Sequence, residues 1–257
     1  MKAIRLFSSD LDGTLAGDRA AAMRFAAFWN QIEPIRRPLL VYNSGRLVDD
    51  MAEFIVAEGL PQPDFFIGGV GTMVAAPFHA HWTPRYAATV GSGYDAATVE
   101  RILSPIPGIS RQPARYQHAY KSSWYLHNAD VGELAALEGA LEAAGLLVTV
   151  VYSSNRDLDV IPRQADKGQA LTWLCHELSI GLDEVVVAGD TGNDRGMFML
   201  EGVRGVVPSN ALMELKALTA DNPHIFAAGS AMADGVVEGL RQWQVGSQAS
   251  RTQSGPK

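Results

Sequence analysis

A single cysteine, Cys175, stands in the 257-residue chain, so no intrachain disulfide can staple it. Cys175 lies among Leu171, Leu174 and Leu178 at helical spacing, which makes it a core residue rather than a reactive one. No apolar run approaches the length needed to span a bilayer, and Met1–Phe7 runs too soon into acidic residues for a secretory signal. These absences point to a cytoplasmic protein without a membrane partner. No run of basic residues occurs and the formal net charge is −7, which argues against a nucleic-acid partner. The histidines are equally uninformative as metal ligands. His79 and His81 are two apart, while His118, His127, His176 and His224 are scattered, and a zinc hydrolase would need a tighter set.

What remains is a chain with 47% hydrophobic and 19% charged residues, suited to a globular protein with a substantial core. Three short apolar runs each close on polar residues. Ile4–Phe7 leads to Asp10, Leu39–Tyr42 to Ser44, and Val185–Ala188 to Asp190. Such runs read as buried parallel strands, with reactive groups at their C-terminal ends, where ligands sit in doubly wound sheets. Between them, Val48, Met51, Ala52, Ile55 and Val56 mark one helix face, with Asp49 and Asp50 in its first turn. A second helix carries Leu171, Leu174, Cys175 and Leu178, with Asp166 as its N-cap. The expected fold is α/β: a doubly wound parallel-sheet, Rossmann-like core with an inserted α+β cap domain.

The core is expected over 1–84 and 162–245 and the cap over 85–161, with Pro84 and Pro162 as the linkers. In the cap, 123–127, 146–152 and 158–161 read as strands, and Leu134, Leu137 and Leu141 mark a helix. Trp124 and Tyr125 are both assigned to its core. The Ser/Gln/Gly-rich stretch 246–257 is expected to be a disordered tail.

Four separated segments supply one set of chemical parts. Asp10 and Asp12, two apart in extended chain, can face one cavity. One carboxylate can attack phosphorus and the other can shuttle the proton. Gly13 and Thr14 let the chain turn. Ser44 and Gly45 offer a hydroxyl and backbone N–H groups to phosphate oxygens, although Ser44 also fits a plain N-cap. Arg46 either leans toward the phosphate or is a surface group. Lys167, at a helix start, adds a point charge where negative charge develops. Asp190, Asn193 and Asp194 form an oxygen-ligand set that suits Mg2+.

The ordered set Asp10-Leu11-Asp12-Gly13-Thr14, Asn43-Ser44-Gly45-Arg46, Asp166-Lys167-Gly168 and Gly189-Asp190-Thr191-Gly192-Asn193-Asp194 resembles the haloacid dehalogenase superfamily. Arg156-Asp157-Leu158-Asp159-Val160-Ile161-Pro162 narrows the resemblance to its sucrose-phosphate phosphatase branch. Phe28-Trp29, Ile67–Met73 and Tyr116–Trp124 are similar to the bacterial mannosylfructose-phosphate phosphatases of that branch.

The resemblance implies Asp10 as nucleophile and Asp12 as general acid/base. It implies Ser44, Gly45, Lys167 and Asn193 at the phosphate. Mg2+ would be held by Asp10, Asp12 through its main-chain carbonyl, Asp190 and Asp194. In the cap, Lys121, Tyr152, Ser153 and Asp159 are expected to meet the sugar.

The implied substrate is a phosphorylated disaccharide, mannosylfructose phosphate first, then sucrose 6-phosphate or glucosylglycerol phosphate. Ser44 replaces the Thr usual in the plant enzymes, which preserves the hydroxyl. Met73 stands where they often carry an acidic residue, which weighs against sucrose phosphate. A phosphomutase reusing Asp10, or a partner of the cognate disaccharide-phosphate synthase, are the rival readings.

Overall fold

The computed structural model describes residues 2–91, 93–220 and 222–246. The expected tail, 246–257, lies outside the described residues except for Gly246.

Two sheets organise the chain. The larger has seven strands in the order β11-β10-β9-β1-β2-β3-β4. Its members are β1 (Leu6–Ser9), β2 (Leu39–Asn43), β3 (Phe65–Gly68), β4 (Met73–Ala75), β9 (Val185–Ala188), β10 (Arg204–Val207) and β11 (Ile225–Ala227). All neighbours pair in parallel except β3 and β4, an antiparallel edge. The smaller sheet is antiparallel, in the order β5-β6-β8-β7. It comprises β5 (Ile109–Arg111), β6 (Ser122–Leu126), β7 (Val148–Ser153) and β8 (Asp157–Pro162).

The large sheet is covered on both faces because its side chains alternate. Leu6, Val41, Val185 and Val187 pack one way and Phe7, Leu40, Tyr42, Val186 and Ala188 the other. Against the second face lie α1 (Arg19–Gln31), α2 (Val48–Glu58) and α9 (Met232–Gln242), through Phe25, Trp29, Met51, Ile55 and Leu240. Against the first lie α3 (Trp82–Val90) and α6 (Lys167–Glu177), with the short helices α7 (Arg195–Phe198) and α8 (Met213–Lys216). In α2, Val56 is 75% exposed, unlike the expected apolar stripe. Ala52 is exposed too, while Val48 packs on the core with Met51 and Ile55 as expected and Phe54 joins them.

The small sheet has one apolar and one polar face. α4 (Ala96–Leu103) and α5 (Val131–Ala143) lie on the apolar face, where Val99, Leu103, Leu137 and Leu141 meet Trp124, Leu158 and Val160. Register fixes the opposite face: Ser123 pairs with Asp159 and Tyr125 with Asp157, while Trp124 pairs with Leu158.

Neither expected linker proline lies between elements. Pro84 falls in the first turn of α3, where its missing N–H costs nothing. Pro162 ends β8, paired with Val148. α3 belongs to the packing of the large sheet. Trp82 and Tyr86 are buried and meet Trp173 of α6 at 5.9 and 4.9 Å between ring centroids.

The loop after β3, 69–72, is pressed against the start of α6. Gly71 has φ +88°, and a Cβ there would lie 2.2 Å from the Asp166 carbonyl at the start of α6. The Tyr86 hydroxyl donates to the Gly71 carbonyl at 2.6 Å, fixing the loop from the far side. Gly71→Ala is therefore expected to lower stability by about 2–3 kcal/mol, from αL strain plus the clash. A urea-unfolding midpoint unchanged from the parent protein would contradict this.

Candidate active site

The C-terminal ends of β1, β2 and β9 converge on one buried ion cluster. Asp10 follows β1, and its N–H donates to the Ala188 carbonyl at 3.0 Å, which ties it to the end of β9. Lys167, the first residue of α6, is fully buried, and its ammonium donates to Asp10 Oδ1 at 2.7 Å and Asp194 Oδ1 at 2.6 Å. A buried ammonium is tolerated only when paired in this way. Asp166 caps α6, accepting from Gly168 N at 2.6 Å and Gln169 N at 2.8 Å, so the helix start is fixed where Lys167 must enter. The Asn43 amide, at the end of β2, donates to the Lys167 carbonyl at 2.9 Å.

Asp190 and Asp194 come from the loop after β9. Asp194 Oδ2 accepts from the N–H groups of Asp190 and Thr191 at 2.9 and 3.0 Å, closing the loop on itself. Thr14 donates to Asp190 Oδ1 at 3.0 Å. Gly13, at φ +79°, makes room for Asp190: a Cβ would stand 2.3 Å from Asp190 Oδ2. Asp10, Asp190 and Asp194 present carboxylate oxygens within 4.8 Å of one another. An all-oxygen, anionic set of this kind fits a hard divalent cation such as Mg2+.

Asp10 and Asp12 face one cavity, as expected of residues two apart, but differ in environment. Asp10 is buried, whereas the Asp12 side chain is 54% exposed and turned to Arg46. Arg46 Nε and one terminal nitrogen each reach an Asp12 oxygen at 2.8 Å. Asp12 is accordingly absent from the carboxylate cluster. Ser44 is not the cap of α2, whose N-cap position is Leu47. Its hydroxyl accepts from Arg46 N at 3.2 Å and faces the cavity.

A cavity of about 370 Å3 connects the two sheets. On the core side it is lined by Asp10, Asp12, Ser44, Gly45, Thr191 and Asn193. Asn193 is held by the Thr191 hydroxyl, which donates to its Oδ1 at 3.0 Å. On the other side, the polar face of the small sheet supplies Lys121, Ser153 and Asp159. The Lys121 ammonium is buried, 2.8 Å from Asp159 and 2.5 Å from the Ser123 hydroxyl.

Two assignments in this region are corrected. Tyr152 does not line the cavity. It alternates with Ser153 on β7 and so faces the helices, its hydroxyl donating to the Leu126 carbonyl at 2.9 Å and accepting from Ala129 N at 3.1 Å. Tyr125 lines the cavity instead of the core, because Trp124 beside it takes the apolar face. Gln112, Tyr116, Ser154, Arg156 and Asp157 also line it and were missed. Alternation on β6 and β8 would have found Tyr125 and Asp157. Gln112 and Tyr116 sit outside regular strands and gave no periodic signal.

The electrostatics follow from burial. Burial pushes the Asp10 carboxyl well above its ordinary value, with the Lys167 charge acting against the shift and Asp194 and Asp190 adding to it. Asp190 is pushed up to about 7 by burial, then by Asp194. Lys167 would be lowered by burial, but Asp10 and Asp194 together raise it.

The sign of the consequence is fixed by linkage. Between pH 4 and 7 the folded protein retains a proton on Asp190 that the unfolded chain has released, so stability falls as pH rises. The depressed surface carboxylates Asp95, Asp183, Asp234 and Glu238 act in the opposite sense, below that window. Chelator-treated protein is expected to lose on the order of 2–4 kcal/mol across this range through Asp190. Asp190→Asn should flatten the decline and added Mg2+ should oppose it. A melting temperature that rises steadily from pH 4 to 7 in chelator would contradict the assignment.

Comparison with known proteins gives the family. Residues 3–244 match the family described as sucrose-6F-phosphate phosphohydrolase. The mannosylfructose-phosphate phosphatase of Agrobacterium fabrum is 50% identical over 243 residues, covering 95% of this chain and 98% of that protein. Sucrose-phosphatase 1 of Nicotiana tabacum is 29% identical over 254 residues, covering 94% of this chain but 60% of the tobacco protein. Among solved structures, the sucrose-phosphatase of Synechocystis in complex with sucrose and phosphate superposes with a TM-score of 0.85 at 26% identity, over 95% of this chain and 99% of that one. A haloacid dehalogenase-like hydrolase from B. subtilis shares the fold, with a TM-score of 0.65 at 18% identity, over 93% of this chain and 99% of that one. The chain belongs to the sucrose-6F-phosphate phosphohydrolase family and is a phosphatase.

Proposed function

We propose that this member of the family hydrolyses a phosphorylated disaccharide through an aspartyl-phosphate on Asp10, with mannosylfructose phosphate as its substrate. One observation carries the chemistry. The buried Lys167 ammonium is joined to Asp10 Oδ1 at the floor of a polar cavity, which leaves Asp10 Oδ2 for phosphorus. The substrate choice rests on the relative at 50% identity, the mannosylfructose-phosphate phosphatase of Agrobacterium fabrum.

In the first step Asp10 attacks phosphorus and the bond from phosphorus to the sugar oxygen breaks. Asp12 gives its proton to that oxygen as it leaves. Ser44, Gly45, Asn193 and Lys167 hold the remaining phosphoryl oxygens. In the second step Asp12 takes a proton from water, the water oxygen bonds to phosphorus, and the Asp10–phosphorus bond breaks to release phosphate. Asp10, Asp190 and the Asp12 carbonyl, with Asp194 in support, would hold Mg2+, which would keep the buried carboxylates ionised and offset the phosphate charge. Asp194 is suited to support, because Lys167 and two backbone N–H groups already occupy its oxygens. Lys121, Ser153 and Asp159, across the cavity, are placed to hold sugar hydroxyls.

Phosphate release from a panel of sugar phosphates tests this directly. Mannosylfructose phosphate should exceed sucrose 6-phosphate in kcat/KM by about tenfold or more. Activity should vanish with chelator and return with Mg2+. Asp10→Asn should lower kcat by a factor on the order of 10³ or more. A variant retaining full activity would sink the mechanism. Equal rates across the panel would sink the substrate assignment alone.

A further inference from the structure

Arg46 is bound to Asp12 by more than an incidental surface ion pair. Its guanidinium forks both Asp12 oxygens at 2.8 Å, and its remaining terminal nitrogen reaches Asp50 Oδ2, one helical turn on in α2, also at 2.8 Å. The plane lies 3.7 Å above the centroid of the Phe54 ring, one further turn along the same helix. The backbone is fixed as well: Arg46 N donates to the Ser44 hydroxyl, and the Arg46 carbonyl accepts from Gly69 N at 2.8 Å.

Arg46 is therefore held on its far edge, its face and its main chain, and presents one free edge to Asp12. Among the described residues, every hydrogen bond to the Asp12 carboxylate comes from Arg46. Asp12 is otherwise open to water, on a loop rather than a strand. A carboxylate so exposed samples several rotamers, and a proton donor misplaced by an ångström loses much of its effect. A planar fork on a braced guanidinium removes that freedom, which a lysine could not do.

We propose that Arg46 is a positioning residue for the leaving-group step: braced by Asp50 and Phe54, it forks the ionised Asp12, and when Asp12 carries its proton it releases one oxygen and holds the other, so that the protonated oxygen faces the departing sugar oxygen. The inference rests on the role proposed above for Asp12. It does not require Arg46 to touch the phosphate.

Leaving groups separate this from a general structural or phosphate-binding role. A sugar alkoxide needs a proton as it departs, whereas the phenolate of p-nitrophenyl phosphate does not. The parameter to compare is kcat/KM, which reports steps up to loss of the leaving group. For Arg46→Met, kcat/KM on the sugar phosphate should fall by about 10- to 100-fold. On the aryl phosphate it should fall by no more than about threefold, which also shows that the variant is folded.

Arg46→Lys should behave like Arg46→Met, since the charge remains but the fork is lost. Asp50→Asn, which loosens the brace without touching Asp12, should shift in the same sense by a smaller factor. Asp12→Asn serves as the reference for a lost proton donor. If Asp12→Asn discriminates between the two substrates and Arg46→Met lowers both equally or neither, the inference is overturned and the role of Asp12 stands. Full activity in Arg46→Lys would overturn the fork as the cause. If Asp12→Asn itself lowers both substrates equally, the proposed role of Asp12 falls, and the inference with it.

Discussion

Everything in the site depends on keeping one ammonium, that of Lys167, out of water. Its 0% exposure would be prohibitive without compensation, and Asp10 and Asp194 supply it at 2.7 and 2.6 Å. Three chain segments far apart in sequence must therefore meet at one point. The parallel strands bring two of them, since β1 and β9 are neighbours and both end there. The third is brought by α6, whose first residue is fixed by the Asp166 cap, the Asn43 amide and the Gly71 loop. Removing the lysine would leave two buried carboxylates facing each other, which is a stability problem before it is a catalytic one.

The second constraint is the division of the small sheet into two faces. Its apolar side is consumed by α4 and α5, so its polar side is the part left to form the far wall of the cavity. Lys121 repeats there, more weakly, the arrangement of Lys167: a buried ammonium paired with a carboxylate, Asp159, beside a hydroxyl. One buried ammonium thus lines the cavity beside groups suited to hydroxyls, and the other lies beneath its opposite wall, joined to Asp10. Arg46 stands at the rim between them, committed to Asp12.

Much of this was legible in the residues. The three apolar runs lie within two residues of β1, β2 and β9, and Asp10, Ser44, Lys167, Asp190 and Asp194 converge as their order along the chain suggested. These groups are legible because each sits at the end of a strongly patterned element, where strand geometry leaves little choice. The misreadings share a cause too. Pro84 was taken for a linker because proline breaks helices, yet in a first turn it does not. Tyr152 was assigned by chemistry rather than by alternation, Tyr125 was grouped with Trp124 although strand neighbours face opposite ways, and each faces opposite to its assignment. The Asp12–Arg46 fork spans two loops, 34 residues apart, and no periodicity reports such a pairing.

The central claim is that Asp10 carries the phosphoryl group during turnover. Rapid mixing with radiolabelled sugar phosphate, acid quenching, and mass spectrometry of the peptide containing Asp10 would test it. The account predicts a transient acid-stable label on Asp10 that forms and decays at rates consistent with turnover. Turnover at the normal rate with no covalent label, or a label on any other residue, would contradict it.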